Sequence, residues 1–186
     1  MKNTITLIIL ASALARFSPQ SAQAQGTLYF SNLGQASTGT APVGNDSWLA
    51  ADIQTGTNAG GYQLNSIRLA LADAVGNPSG FTAMLYTQFG VKGPMPGSSL
   101  GTLSGSLHPV TGGIYTYSPT SNLSLSPHTI YWVVLTAGTP VANGAYEWSF
   151  TSIPVGGSSG WIGTGTVLSS SDGLNWWTRI AGAIGN

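Results

Sequence analysis

Between residues 26 and 182 no segment sustains an apolar period of 3.6 residues, while short β-branched and aromatic runs recur between clusters of Gly, Pro, Asn and Ser. Such a chain has no stripe to bury as a helix, but it has faces to bury as strands, so the pattern predicts an all-β fold. Strands are expected over residues 27–31, 48–54, 62–71, 81–89, 101–104, 113–118, 129–137, 145–151 and 174–180. Along 81–89, Phe81, Ala83, Leu85 and Phe89 share one face and Thr82, Met84, Tyr86 and Gln88 the other, as in a half-buried strand. Ile130, Tyr131, Trp132, Val133, Val134 and Leu135 are apolar on both faces, as in a central strand covered on each side or one touching a second surface. Pro78, Pro94, Pro96, Pro109, Pro119, Pro127 and Pro154 fall between these runs, where no ladder hydrogen bond is lost. Residues 71–76 read as a short helical turn closed by Gly76 and Pro78. About nine short strands at this spacing imply an antiparallel β-sandwich, of jelly-roll type, with an up-and-down barrel as the alternative.

The first two dozen residues set the compartment. Lys2 gives a positive start, residues 4–15 are an apolar run, and Ala22-Gln23-Ala24 supplies the small residues of a signal-peptidase site. Residues 1–24 are therefore expected to be a signal peptide and residues 25–186 a single β-sandwich domain beginning at Gln25. The apolar run is shorter than the ~20 residues a membrane-crossing helix needs. Arg16 interrupts it as well, so cleavage is favoured over a retained anchor and no membrane insertion is expected afterwards. The destination is secreted or extracellular, with association to the cell surface as a further option. Beyond residue 24 the basic residues are Arg68, Lys92 and Arg179, against Asp46, Asp52, Asp73, Glu147 and Asp172. None of the three is clustered with another, which argues against nucleic acid and anionic lipid as partners. The chain has no cysteine, so disulfides and thiolate metal sites are excluded. A hydrophobic content of 42%, with six Trp and seven Tyr, is far more than a disordered chain carries.

Few motifs suggest chemistry. Gly156-Gly157-Ser158-Ser159-Gly160 has the Gly-x-Ser-x-Gly spacing of a serine-hydrolase elbow, but no His follows residue 128 and no helical pattern follows Gly160. His108 and His128 each adjoin a proline and have no second ligand at metal spacing, so both read as loop histidines. Carbonyl-rich calcium sites near Asp46 or Asp172 stay open. Asp52 and Glu147 could face each other on neighbouring strands as the acid pair of a glycosidase, though neither lies in a motif. No catalytic residue, metal or cofactor is assigned. The aromatics are more suggestive. Trp161, Trp176 and Trp177 lie late in the chain among Gly and Ser, where exposed indoles can stack on the C–H face of a sugar. Adjacent Trp176 and Trp177 on a strand must point to opposite faces, so one of them is expected in the core. Tyr115, Tyr117, Tyr131, Trp132 and Trp148 sit in the strand patterns and read as core or cross-strand pairs.

Several short segments, in their order, carry a likeness. They are Trp48-Leu49-Ala50 with Thr55-Gly56, Gly76-Asn77-Pro78-Ser79-Gly80-Phe81, Pro96-Gly97-Ser98-Ser99-Leu100 and Gly113-Ile114-Tyr115-Thr116-Tyr117. Leu125-Ser126-Pro127, Thr129-Ile130-Tyr131-Trp132, Trp148 and Ser171-Asp172-Gly173 with Trp176 follow. Across most of residues 27–177 the chain resembles the choice-of-anchor R domain, an exported bacterial all-β module often found ahead of a sorting tail of the PEP-CTERM kind. Ile53 stands where the family carries an aromatic, and no Pro-Glu-Pro, apolar helix and basic tail follow Arg179, so the resemblance does not imply surface anchoring. It transfers no catalytic residues. The expected function is a secreted, non-enzymatic structural or adhesive β-sandwich, associated with extracellular polysaccharide or matrix proteins. The alternative is a carbohydrate-binding module using Trp161, Trp176 and Trp177, ahead of a secreted polysaccharide hydrolase.

Overall fold

The computed structural model describes residues 26–90, 94–151, 157–163, 165–181 and 184–185. The candidate export signal at 1–24, together with Lys92, Pro154 and Gly156, lies outside these described residues. The strands are β1 (Gly39–Val43), β2 (Trp48–Gln54), β3 (Tyr62–Gln63), β4 (Ile67–Gly76), β5 (Thr82–Gln88), β6 (Pro96–Ser104) and β7 (Gly113–Pro119). They continue as β8 (Ser124–Leu125), β9 (Ile130–Thr136), β10 (Gly144–Thr151), β11 (Thr166–Ser170), β12 (Trp177–Ala181) and β13 (Ile184–Gly185). The helical segments among the described residues are two three-residue 3-10 turns, Val141–Asn143 and Ser158–Gly160.

Every pairing is antiparallel, and the main sheet runs β1-β10-β4-β7-β6-β5-β9-β2-β11-β12. The sheet curls over itself at β6–β7, where the described ladder is only Leu103↔Pro119 and Ser104↔Ser118. A back layer of β1, β10, β4 and β7 thereby faces a front layer of β6, β5, β9, β2, β11 and β12, giving an all-β, sandwich-like architecture. This strand order is not a meander and its ends, β1 and β12, are unjoined among the described residues, so the up-and-down barrel is not the fold.

The core follows from the period of two. Val43, Leu69, Leu71, Tyr117, Tyr146 and Trp148 from the back layer meet Leu49, Ala83, Leu85, Leu103, Val133, Leu135 and Val167 from the front. Phe81 packs edge-on to Tyr146 at 5.1 Å, and the Tyr117 hydroxyl donates to the Ser106 carbonyl at 2.9 Å. Burial pushes both the Tyr117 and the Tyr146 phenol above their ordinary value. On β9, alternate residues leave this core: Trp132 and Val134 join Ala50, Met84 and Leu168 in a second apolar cluster on the outer face of the front layer. That is the covered central strand expected from its two-sided apolar run. The outer cluster also covers β5, because Met84 and Tyr86 pack into it while Ala83 and Leu85 face inward. β5 is therefore apolar-packed on both faces rather than half-buried.

Several boundaries differ from the sequence reading for identifiable reasons. Residues 27–31 form no strand; Tyr29 instead packs its ring on Tyr62 and Trp161, and its carbonyl accepts from Ser158 N–H at 2.7 Å. Residues 71–76 are strand rather than helical turn, because β4 continues to Gly76 against β10 in the pairs Ala72↔Glu147, Val75↔Ala145 and Gly76↔Gly144. Pro96 opens β6 and Pro119 closes β7, both at strand ends where no central ladder bond is lost. β1 and β11 escape pattern reading, as does the short β3–β8 pair that splits the expected 62–71 strand.

Candidate functional site

Asp172 organises the approach to β12. Its Oδ1 accepts from the Leu174 and Asn175 backbone N–H groups and from Ser170 Oγ, each at 2.9 Å, and its Oδ2 accepts from Asn175 Nδ2 at 2.7 Å. These bonds, the Asn175 backbone N–H foremost, hold the carboxyl well below the usual carboxylate range. Gly173 takes φ +72°, and a Cβ there would lie 2.9 Å from the Trp48 ring, so the turn rests on that indole. Trp48 is itself tied by its Nε1 to the Asn45 carbonyl at 3.0 Å.

The turn delivers two tryptophans to different environments. Trp176 packs, partly buried, against the outer cluster of Ala50, Met84, Trp132, Val134 and Leu168. Trp177, the first residue of β12, pairs with Ser169 and is 51% exposed. Both line a cleft of about 220 Å³ that Pro94, Met95, Thr166, Leu168 and Thr178 complete. Pro94, Met95, Leu168 and the two tryptophans bring apolar groups to it and Thr166 and Thr178 hydroxyl-bearing ones, and none of the described lining residues is ionisable.

Trp161 is elsewhere. It is 6% exposed, stacked on Tyr29 at 5.4 Å and edge-on to Tyr62 at 4.9 Å, inside the inner core. The three late tryptophans do not form one platform. Trp161 holds the segment around Tyr29 against the body, and only Trp176 and Trp177 share the cleft.

The other candidates resolve into structure. Asp52 on β2 pairs with Trp132, whereas Glu147 on β10 lies between Pro42 and Ala72 in the other layer, so the two carboxylates are not on neighbouring strands. Ser158 sits in a 3-10 turn, and its hydroxyl points to the Leu28 and Tyr29 carbonyls at 3.4 and 3.3 Å. That turn lacks the helix a hydrolase elbow requires. His108 shares a 3.0 Å hydrogen bond with the Tyr146 hydroxyl, and His128 occupies a turn at φ +49°. Asp46 accepts from Val141 N–H at 2.8 Å. Among the described residues no three His, Cys, Asp or Glu side chains gather as a metal site.

No family model, curated protein or solved structure matches the chain. Function must therefore be argued from the site itself. Pattern reading singled out Trp176 and Trp177 but missed Pro94, Met95, Thr166, Leu168 and Thr178. A methionine between two prolines carries no signal by itself, and its approach to β11 is a long-range contact.

Proposed function

We propose that this protein is an exported, non-catalytic adhesive β-sandwich that engages extracellular polysaccharide through the Trp177 cleft. The observation that carries the reading is the 51% exposure of Trp177 at a cleft lined by apolar residues and two threonines. A pyranose offers the matching chemistry, with an apolar C–H face for an indole and hydroxyls for threonines. The signal-like start at residues 1–24 and the resemblance to choice-of-anchor R domains support a role outside the cell.

Retention of the purified chain on insoluble and matrix polysaccharides tests this, with Trp177→Ala, Trp176→Ala and Trp161→Ala compared against wild type. Trp177→Ala is expected to lose retention while melting like wild type. Trp161→Ala, in the core, is expected to lose about 3–5 kcal/mol of stability. Failure of wild type to bind any polymer would refute carbohydrate recognition and leave adhesion to a matrix protein as the reading.

A further inference from the structure

The cleft is narrower in what it accepts than polysaccharide at large. A carboxylate or sulfate brought into it would give up water with no cation among the described lining residues to replace it, a desolvation those residues do not compensate. A neutral sugar meets no such penalty, because Thr166 and Thr178 can bond its hydroxyls while an indole covers its C–H face. Size gives a second limit. About 220 Å³ is below the ~300–1,000 Å³ of pockets that enclose a drug-sized ligand, and suits one ring. Of the three late tryptophans none lies beyond the cleft to extend the site, since Trp161 is in the inner core and Trp176 lines the same cleft as Trp177.

We propose that the cleft is a single-ring subsite for an uncharged pyranose unit. This rests on the carbohydrate reading above. One copy then binds weakly, and firm attachment comes from many copies on one polymer or one surface.

Calorimetric titration of the full chain with neutral gluco- and manno-oligosaccharides of two to six units, and with oligogalacturonates of the same lengths, tests both limits. Affinity within the neutral series is expected to vary by less than about threefold with length, because units beyond the first add no contact. Oligogalacturonates should bind at least about tenfold more weakly than the neutral sugars. Trp177→Ala should lower neutral-sugar affinity about tenfold, with Trp177→Phe retaining most of it. Affinity that climbs more than about tenfold from two to six units overturns the single ring. Tighter binding of oligogalacturonates overturns the uncharged ligand. Either result leaves carbohydrate recognition standing. A polymer retained through Trp177 while no oligosaccharide binds also overturns the single-ring subsite alone. Absence of both polymer retention and oligosaccharide binding overturns the subsite together with the reading beneath it.

Discussion

Asp172 shows how much one exposed carboxylate can organise. Its four hydrogen bonds close the turn that sets Trp176 and Trp177 in place, and they depress its pKa below the ordinary 3.8. A depressed carboxylate stabilises the fold fully above that ordinary value, and the contribution is lost as pH falls through the lower folded value. Asp172→Asn should therefore melt below wild type at neutral pH, with the difference narrowing from roughly pH 4 to pH 2. Circular dichroism melts across that range check it, and a constant gap would place the effect elsewhere. A second residue-level constraint is Gly144, at φ +150°, where a Cβ would stand 2.7 Å from the Asn77 and Pro78 nitrogens. Gly144→Ala is expected to cost about 1–3 kcal/mol in urea denaturation, because backbone must move to admit the methyl. Neither constraint was legible in the sequence: Ser-Asp-Gly marks a turn, but which indole that turn rests on is a tertiary fact.

At the level of elements, β9 and β7 make the useful contrast. β9 is central, flanked by β2 and β5 and packed on both faces; β7 presents Ile114 to solvent at 49% exposure. Leu135→Ala, at a fully buried site, should cost about 2–5 kcal/mol, and Ile114→Ala should stay within about 0.5 kcal/mol of wild type. Equal losses in urea denaturation would contradict this assignment of core and surface. β2 and β9 were legible because each is a long apolar or β-branched run. β1 was not, since Gly39 and Pro42 interrupt any β-type run there; the proline is tolerated because β1 lies at the end of the sheet. β11 carries only Val167 and Leu168 as apolar residues, too short an alternation to stand out.

For the molecule as a whole, a chain with only 5% charged residues leaves little for salt to screen. The melting temperature is expected to move by less than about 2 °C between low salt and 1 M NaCl. A larger shift by calorimetry would reveal an ionic network that so sparse a charge set does not suggest. The ladder that closes the sandwich is long-range: β1 pairs Gly39 with Phe150, and β2 pairs Leu49 with both Leu135 and Ser169. The all-β class and the position of the strongest strands were determined by the chain's own alternation, because a side-chain period of two is a local property that any window of residues displays. The division into inner and outer clusters, the burial of Trp161 and the cleft at Trp177 were decided only by tertiary structure. Each depends on register between strands distant in sequence, and a one-residue slip in that register would send every indole to the opposite face.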